Sequence, residues 1–334
     1  MVASSPIVVV GAGAWGTALA VHLARNNNLV HLWGHDPEQM QRLSQHRCNE
    51  HYLPGISFPD SLLVFDDLAA ATKGVEDILV VIPSHAFVSF LQTLRALNLD
   101  GLRIAWGTKG LDPNTARPLH EVVADVFGPD MPAAVVSGPS FALEVGQQQP
   151  TAVCVAGNDD VFVEDLIQRL HSPYFRVYPN DDFIGVQLCG VMKNILAIAT
   201  GMAAGLELGA NTRAALLTRG IAEMSRLLKA CGGKEATLLS LAGMGDLVLT
   251  CTDNQSRNRR FGLAIGQGAS VDVALTSVGS EVEGLHNTRQ MVELSHSHHI
   301  ELPITQQVYR VLFEGLAPGD GLEQLLHRGR AQEG

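Results

Sequence analysis

The chain has 334 residues, a length that accommodates two domains, each with a core of its own. Hydrophobic residues make up 46% and charged residues 17%, and the formal net charge is −11. That acidity argues against nucleic acid as the main partner, whereas a small anionic substrate stays compatible provided Lys and Arg are gathered locally.

The first predicted element is a strand at Ile7 to Val10, followed at once by Gly11-Ala-Gly13-Ala14-Trp15-Gly16 and a helical pattern from Trp15 to Asn26. In such a turn the first glycine permits the tight bend, the second lets the backbone approach a pyrophosphate, and the third lets the helix pack on the strand. The pyrophosphate then meets the free amides of a helix N-terminus. Strand, glycine turn and helix in this order predict a dinucleotide site; a turn that merely eases packing is the plainer reading. A second strand, Leu29 to Trp33, leads into Gly34-His35-Asp36. Asp36 suits the ribose 2′-hydroxyl of NAD, while His35 with Arg42 or Arg47 suits the 2′-phosphate of NADP, and both readings fit the spacing.

Helices are predicted at Pro37 to Gln45, His85 to Leu97 and Val161 to His171. Strands are predicted at Leu62 to Phe65, Ile78 to Ile82, Arg103 to Trp106, Ala133 to Val136 and Ala152 to Val155. This alternation predicts an α/β fold whose N-terminal part is a Rossmann-like, doubly wound, mostly parallel sheet with helices on both faces. Near Asp181 the pattern turns wholly helical, with Ile184 to Ala204, Thr212 to Ala230, Arg259 to Gly266, Val282 to His298 and Thr305 to Phe313 the clearest segments. The expected division is a dinucleotide-binding domain over 1–180 and an all-α, substrate-binding domain over 181–334, with the tail after Gly329 frayed.

Lys193 is the only charged residue between Asp182 and Glu207. An ammonium in so apolar a segment must find a partner or lose its proton, which makes it a candidate for acid–base work. The plainer reading is a snorkelling lysine on a helix edge. The segment is apolar, but its glycines, Gln187 and Lys193 favour a buried helix over a membrane span. Cys48, Cys154, Cys189, Cys231 and Cys251 form no CxxC pair, so reduced thiols in a cytoplasmic protein are expected rather than disulfides or zinc. His296, His298 and His299 lack a closing carboxylate pattern, so they predict a solvated turn and no metal site.

Further segments fit one pattern. They are Val81-Ile-Pro-Ser-His85, Trp106-Gly-Thr-Lys109-Gly-Leu, Ser137-Gly138-Pro-Ser140-Phe-Ala142, the Lys193 helix continuing to Arg219, Leu241 through Asp246 to Arg260, and Glu281-Val-Glu283-Gly. With the glycine turn, they closely resemble bacterial NAD(P)-dependent glycerol-3-phosphate dehydrogenases, over about Ile7 to Gly315. The resemblance implies NAD(P)H-dependent interconversion of dihydroxyacetone phosphate and sn-glycerol 3-phosphate, the latter for phospholipid synthesis, by a homodimer. It implies that Lys193 is the proton acceptor and that Lys109 serves cofactor and substrate alike. Gly138, Ser140, Asp246, Ser256, Arg257 and Asn258 match substrate-contacting positions. Trp15, His35, Ala142, Arg257 and Glu283 match cofactor-contacting positions, beside Gly11, Gly13, Ala14 and Gly16 of the turn. Ala14 replaces a frequent Ser, Leu143 a common Lys, and Cys189 a glycine of some relatives.

The residues make chemical sense of this. A ketone that accepts a hydride develops negative charge on its oxygen and needs a proton donor, a part for Lys193. Burial should lower the pKa of that lysine and Asp246 should raise it. Asp246, after Gly243-Met-Gly245, is either its partner or a helix N-cap, and Thr250 is a further candidate for the site. Arg257 and Asn258 open a basic helix start that matches phosphate oxygens, with Arg259 and Arg260 as solvated charges. Two rival readings are a relative acting on another hydroxy acid or ketoacid, and a nucleotide-sensing regulator without turnover.

Overall fold

The computed structural model describes residues 5–326, so the tail expected to fray lies outside the described residues. By spatial proximity the described chain falls into two units, residues 5–112 with 118–187, and residues 113–117 with 188–326. The expected change at 180/181 lies between the last strand and a helix whose first turn still belongs to the first unit.

In chain order the first unit holds β1 (Ile7–Val10), α1 (Ala14–Arg25), β2 (Val30–Trp33), α2 (Pro37–His46), β3 (Cys48–Asn49), β4 (Leu53–Ser57) and β5 (Leu62–Phe65). There follow α3 (Leu68–Thr72), β6 (Asp77–Val80), α4 (Ser84–Ala96), β7 (Arg103–Trp106), α5 (Leu119–Phe127) and β8 (Ala133–Ser137). The unit closes with α6 (Ala142–Gly146), β9 (Thr151–Gly157), α7 (Asp160–Leu170) and β10 (Phe175–Pro179). Eight strands form one sheet in the order β10-β9-β8-β7-β6-β1-β2-β5, while β3 and β4 make a separate antiparallel pair. All four residues of β1 are buried, as the unbroken apolar run of a strand covered on both faces requires.

Every neighbouring pair of the large sheet is parallel except β8 and β9. The link from β8 to β9 contains only the five-residue α6, too short to carry the chain back along the sheet for a parallel crossover. The 11-residue α7 does carry it back, and β10 pairs parallel to β9. The sequence pattern missed β10, an edge strand with an exposed Tyr178 that ends at Pro179, and it missed β4, whose Pro54 and Gly55 read as a turn. Chain order along the sheet reverses between β1 and β6, so the C-terminal ends of these two strands form the crevice where such sheets take ligands.

The second unit is helical. Its helices are α8 (Phe183–Gly205), α9 (Ala210–Ala230), α10 (Asp246–Thr252), α11 (Arg257–Gly266), α12 (Val271–Val278), α13 (Glu283–Ser297), α14 (Pro303–Phe313) and α15 (Pro318–Leu326). A 3-10 turn at Glu235–Leu239 and a π turn at Leu241–Gly245 precede α10. The sequence missed α10, α12 and α15, each with fewer than three turns in which to show a period. Among the described helices α8 alone is long and apolar enough to cross a bilayer, and 89% of its apolar window is buried inside the protein.

Packing fixes α8 against α11 at backbone distance. A Cβ on Gly201 would lie 2.2 Å from the Arg259 carbonyl, and one on Gly262 would lie 2.1 Å from that of Ile198. Gly205 and Gly266 repeat the approach one turn further on. Any larger side chain would push these helices apart, and with them the start of α11.

A buried carboxylate holds the start of α14. Leu302, at its N-cap, offers no side-chain acceptor, and Glu223 of α9 supplies one from across the unit. Glu223 is 1% exposed and accepts from the Ile304 amide, the Thr305 amide at 3.2 Å and the Thr305 hydroxyl at 3.0 Å. Burial pushes its carboxyl up to about 7 despite these donors. A carboxyl that binds its proton more tightly when folded contributes stability at low pH and loses it as pH rises from about 4.5 to about 7. Between those limits Glu223→Gln should therefore gain on the native protein by up to about 3 kcal/mol, whatever its fixed cost. Urea midpoints of both proteins across that range test this, and a difference independent of pH would contradict it.

Candidate active site

In the first unit the glycine turn has the shape a dinucleotide requires. Gly11 sits at φ +112, and a Cβ there would meet the Val81 carbonyl at 2.3 Å. A Cβ on Gly16 would meet the Gly11 carbonyl at 2.0 Å, which keeps α1 close to β1, while one on Gly13 would meet nothing within 4 Å. No side chain caps α1, whose first residue is Ala14, so its leading amides point at the turn without a side-chain acceptor. The Trp15 indole N–H is buried and finds no protein acceptor. Uncapped amides, an orphaned donor and a surface clear of Cβ atoms fit an anionic, polar nucleotide.

Two side chains that the sequence did not mark hold this turn. Gln39 donates to the Ala12 carbonyl at 2.9 Å, and the buried Asn49 donates to it at 3.0 Å and to the Thr17 hydroxyl at 2.8 Å. Beyond β2, His35 is exposed. The Asp36 carboxylate caps α2, accepting from the Glu38 amide at 3.0 Å and the Gln39 amide at 3.2 Å. Arg47 donates to the carbonyls of Leu62 and Pro59, which fixes it as a structural residue, and Arg42 lies 3.8 Å from Glu38 on the surface.

Lys109 follows β7 at the same end of the sheet. Its turn is anchored by the Gly107 amide on the Val80 carbonyl at 2.9 Å and by the Thr108 hydroxyl on that of Ile82 at 2.7 Å. The half-buried Lys109 places its ammonium 5.5 Å from the centroid of the Trp15 ring. Gly138 follows β8 at φ +146, with room for no Cβ beside Val153, and Ser140 donates to its carbonyl at 3.0 Å. Ala142 opens α6, which packs along α1.

In the second unit Lys193 is 7% exposed in the middle of α8. Its ammonium donates to Asp246 Oδ1 at 2.6 Å and to the Thr250 hydroxyl at 3.0 Å. Thr250 in turn donates to the Asp246 carbonyl at 2.6 Å, a contact within one turn of α10. The snorkelling reading is therefore wrong, because the ammonium turns inward to a carboxylate that is 1% exposed. The N-cap reading of Asp246 fails too, since Asp246 is the first residue of α10 and Gly245 stands at the cap position without a side-chain bond. The π turn before it is held by Gly243, where a Cβ would meet the Thr237 carbonyl at 2.3 Å. Burial pushes the Cys251 thiol, packed under the Lys193 carbonyl, up to about 12, which removes it as a nucleophile.

The start of α11 is tied to the turn after Lys193. Asn258 donates to the Asn194 side-chain carbonyl at 2.9 Å and accepts from the Gly284 amide at 2.9 Å. This joins α8, α11 and the first turn of α13, where Glu283 is half-buried. Asn194, unmarked in the sequence, keeps a buried amide N–H without a protein acceptor. Ser256 caps α11 through the Arg259 amide. Arg257 is exposed and makes no hydrogen bond or ion pair among the described residues, whereas Arg259 is engaged by the Cys251 carbonyl and Asn254 rather than solvated. His296, His298 and His299 are exposed around the end of α13, as expected of a turn.

Comparison with known proteins bears on the whole chain. Residues 6–163 match the family model for the N-terminus of NAD-dependent glycerol-3-phosphate dehydrogenase, and residues 182–323 match the model for its C-terminus. The chain belongs to the NAD-dependent glycerol-3-phosphate dehydrogenase family. A relative named glycerol-3-phosphate dehydrogenase [NAD(P)+], from Shewanella sp. (strain MR-4), is 51% identical over 99% of this chain and 98% of its own. The crystal structure of glycerol-3-phosphate dehydrogenase from Coxiella burnetii superposes with a TM-score of 0.95 at 52% identity, over 97% of this chain and 99% of that one. D-mandelate dehydrogenase, at 14% identity and a TM-score of 0.62, shares the fold.

The family's N-terminal match contains the glycine turn, Trp15 and Lys109, and its C-terminal match contains Lys193, Asp246, Arg257 and Glu283. As a member of the glycerol-3-phosphate dehydrogenase family the chain is an NAD(P)-dependent oxidoreductase. A nucleotide sensor without turnover has no need of a buried ammonium, carboxylate and hydroxyl held in one cluster.

Proposed function

We propose that the chain interconverts dihydroxyacetone phosphate and sn-glycerol 3-phosphate, with the dinucleotide held in the first unit and Lys193 as the proton-transferring group. The observation that carries this reading is the buried cluster of Lys193, Asp246 and Thr250. Bound NADH or NADPH supplies the hydride to carbon two of the ketone. Lys193 then gives a proton to the ketone oxygen, and takes it back in the oxidation of the alcohol. Asp246 and Thr250 take two of the ammonium's three donor directions, which fixes where the amine points. Asp246 also stabilises the charged form from which the proton is given.

Lys109 is assigned to the substrate oxygen or phosphate and to the cofactor. Arg257 is assigned to the phosphate, where its planar fork and the α11 amides suit a dianion. Gly138, Ser140, Ser256 and Asn258 complete the proposed substrate set, the last two by shaping the start of α11. Gly11, Gly13, Ala14, Trp15, Gly16, His35, Ala142, Arg257 and Glu283 make the proposed cofactor set. A cytoplasmic homodimer that supplies glycerol 3-phosphate for phospholipids, with no nucleic-acid partner, completes the proposal. The decisive experiment follows absorbance of NADH and of NADPH with dihydroxyacetone phosphate. Loss of absorbance with formation of glycerol 3-phosphate is expected, and no turnover with either nucleotide would end this reading.

A further inference from the structure

Trp15 stands at the fifth position of the glycine fingerprint, yet its ring does more than line a nucleotide. The edge of its six-membered ring abuts Gly107, so closely that a Cβ there would sit 1.9 Å from ring atom Cζ3 and within 2.9 Å of two more. Gly107 must therefore lack a side chain for the ring to reach its place. Two residues on, the Lys109 ammonium is 5.5 Å from the ring centroid, inside the range at which an aromatic face attracts a cation. The backbone on both sides is pinned: the Gly107 amide by Val80, the Thr108 hydroxyl by Ile82, and the Trp15 end by the packing of Gly16 against Gly11.

We infer that Trp15 is a positioning residue for Lys109, its indole face holding the ammonium in place across the gap that Gly107 leaves open. The glycine turn of the nucleotide site and the lysine assigned to the substrate are then one mechanical unit, and the inference rests on that assignment of Lys109. It explains why an aromatic ring with a strong face occupies a position where nucleotide binding by backbone amides asks for no side chain at all. It also makes Gly107 a determinant of the site through space rather than through any contact of its own.

Three variants test it, Trp15→Phe, Trp15→Leu and Gly107→Ala, in the full-length protein. Phe keeps an aromatic face, Leu keeps only apolar bulk, and Ala at 107 displaces an unaltered ring. The first readout is the pH at which Lys109 becomes half-reactive to acetic anhydride, measured by mass spectrometry of the peptide containing it. The second is KM for dihydroxyacetone phosphate beside the Kd for NADH from fluorescence titration. Trp15→Leu and Gly107→Ala should make Lys109 reactive at lower pH, because an ammonium that loses its aromatic face gives up its proton more readily. They should raise KM by about 3- to 30-fold, the range expected of one cation–π contact. Trp15→Phe should stay closer to the native protein in both. Equal Lys109 reactivity in all four proteins would overturn the inference, and if Trp15→Leu fails to fold, Gly107→Ala alone decides it by the same labelling. A labelling shift with unchanged KM would uphold the pairing of Trp15 with Lys109 while removing Lys109 from the substrate site, so the two failures are distinguishable.

Discussion

Lys193→Met should lower kcat by about 10²- to 10⁴-fold, the range for loss of a positioned acid–base group, with a much smaller change in KM for NADH. The variant also leaves Asp246, 1% exposed, without its 2.6 Å partner. An uncompensated buried charge costs about 3–5 kcal/mol, so the melting temperature should fall with the activity. The two effects separate in Lys193→Met with Asp246→Leu. Replacing both members of a buried pair with apolar groups is often close to neutral, so the double variant should melt near the native protein and still be inactive. A folded Lys193→Met enzyme with near-native turnover would remove the proton-transfer assignment. A double variant that stays as unstable as the single one would show that the stability lost in Lys193→Met is not that of an unpaired Asp246 carboxylate.

Arg257→Ala should raise KM for dihydroxyacetone phosphate by about 10- to 150-fold, the equivalent of one or two charge-assisted hydrogen bonds. With NADH saturating, so that the cofactor contact assigned to Arg257 does not register, the same substitution should change kcat/KM for unphosphorylated dihydroxyacetone by less than about 2-fold. Stability should be almost unaffected, because Arg257 is exposed and has no partner among the described residues. Arg257→Lys should fall between the two, retaining a charge but not the fork. Equal losses on both substrates would contradict phosphate binding. Asn258 offers a contrast next door. Its amide joins Asn194 to Gly284, so Asn258→Ala is expected to lose stability as well as affinity.

The features legible in the sequence are the local ones. The run Ile7–Val10, the glycine turn and α1 could be read because a buried strand, a bend and a helix each leave a mark within a few residues. Lys193 stood out because a single charge in α8 breaks an apolar pattern, and that pattern alone required a partner. The switch from alternating strands to helices near residue 181 was visible for the same reason. The family resemblance, spread over motifs from Gly11 to Glu283, supplied the roles that periodicity has no means to express.

What tertiary structure decided was who meets whom. Asp36 has the spacing of a ribose ligand, and only the structure shows that its Oδ1 also caps the start of α2. Arg47 had the charge for a phosphate, but the carbonyls of Pro59, before β5, and of Leu62, at its start, take its guanidinium. The reversal of β9 follows from how little helix the preceding link contains, which becomes apparent only when the sheet is laid out. Lys193 and Asp246 are 53 residues apart, and the close backbone packing of Gly201 on Arg259 is equally remote in sequence. A sequence fixes which groups need partners, because burial, charge and hydrogen-bonding capacity are properties of the residue. The identity of each partner depends on distances across helices and turns that no local period encodes.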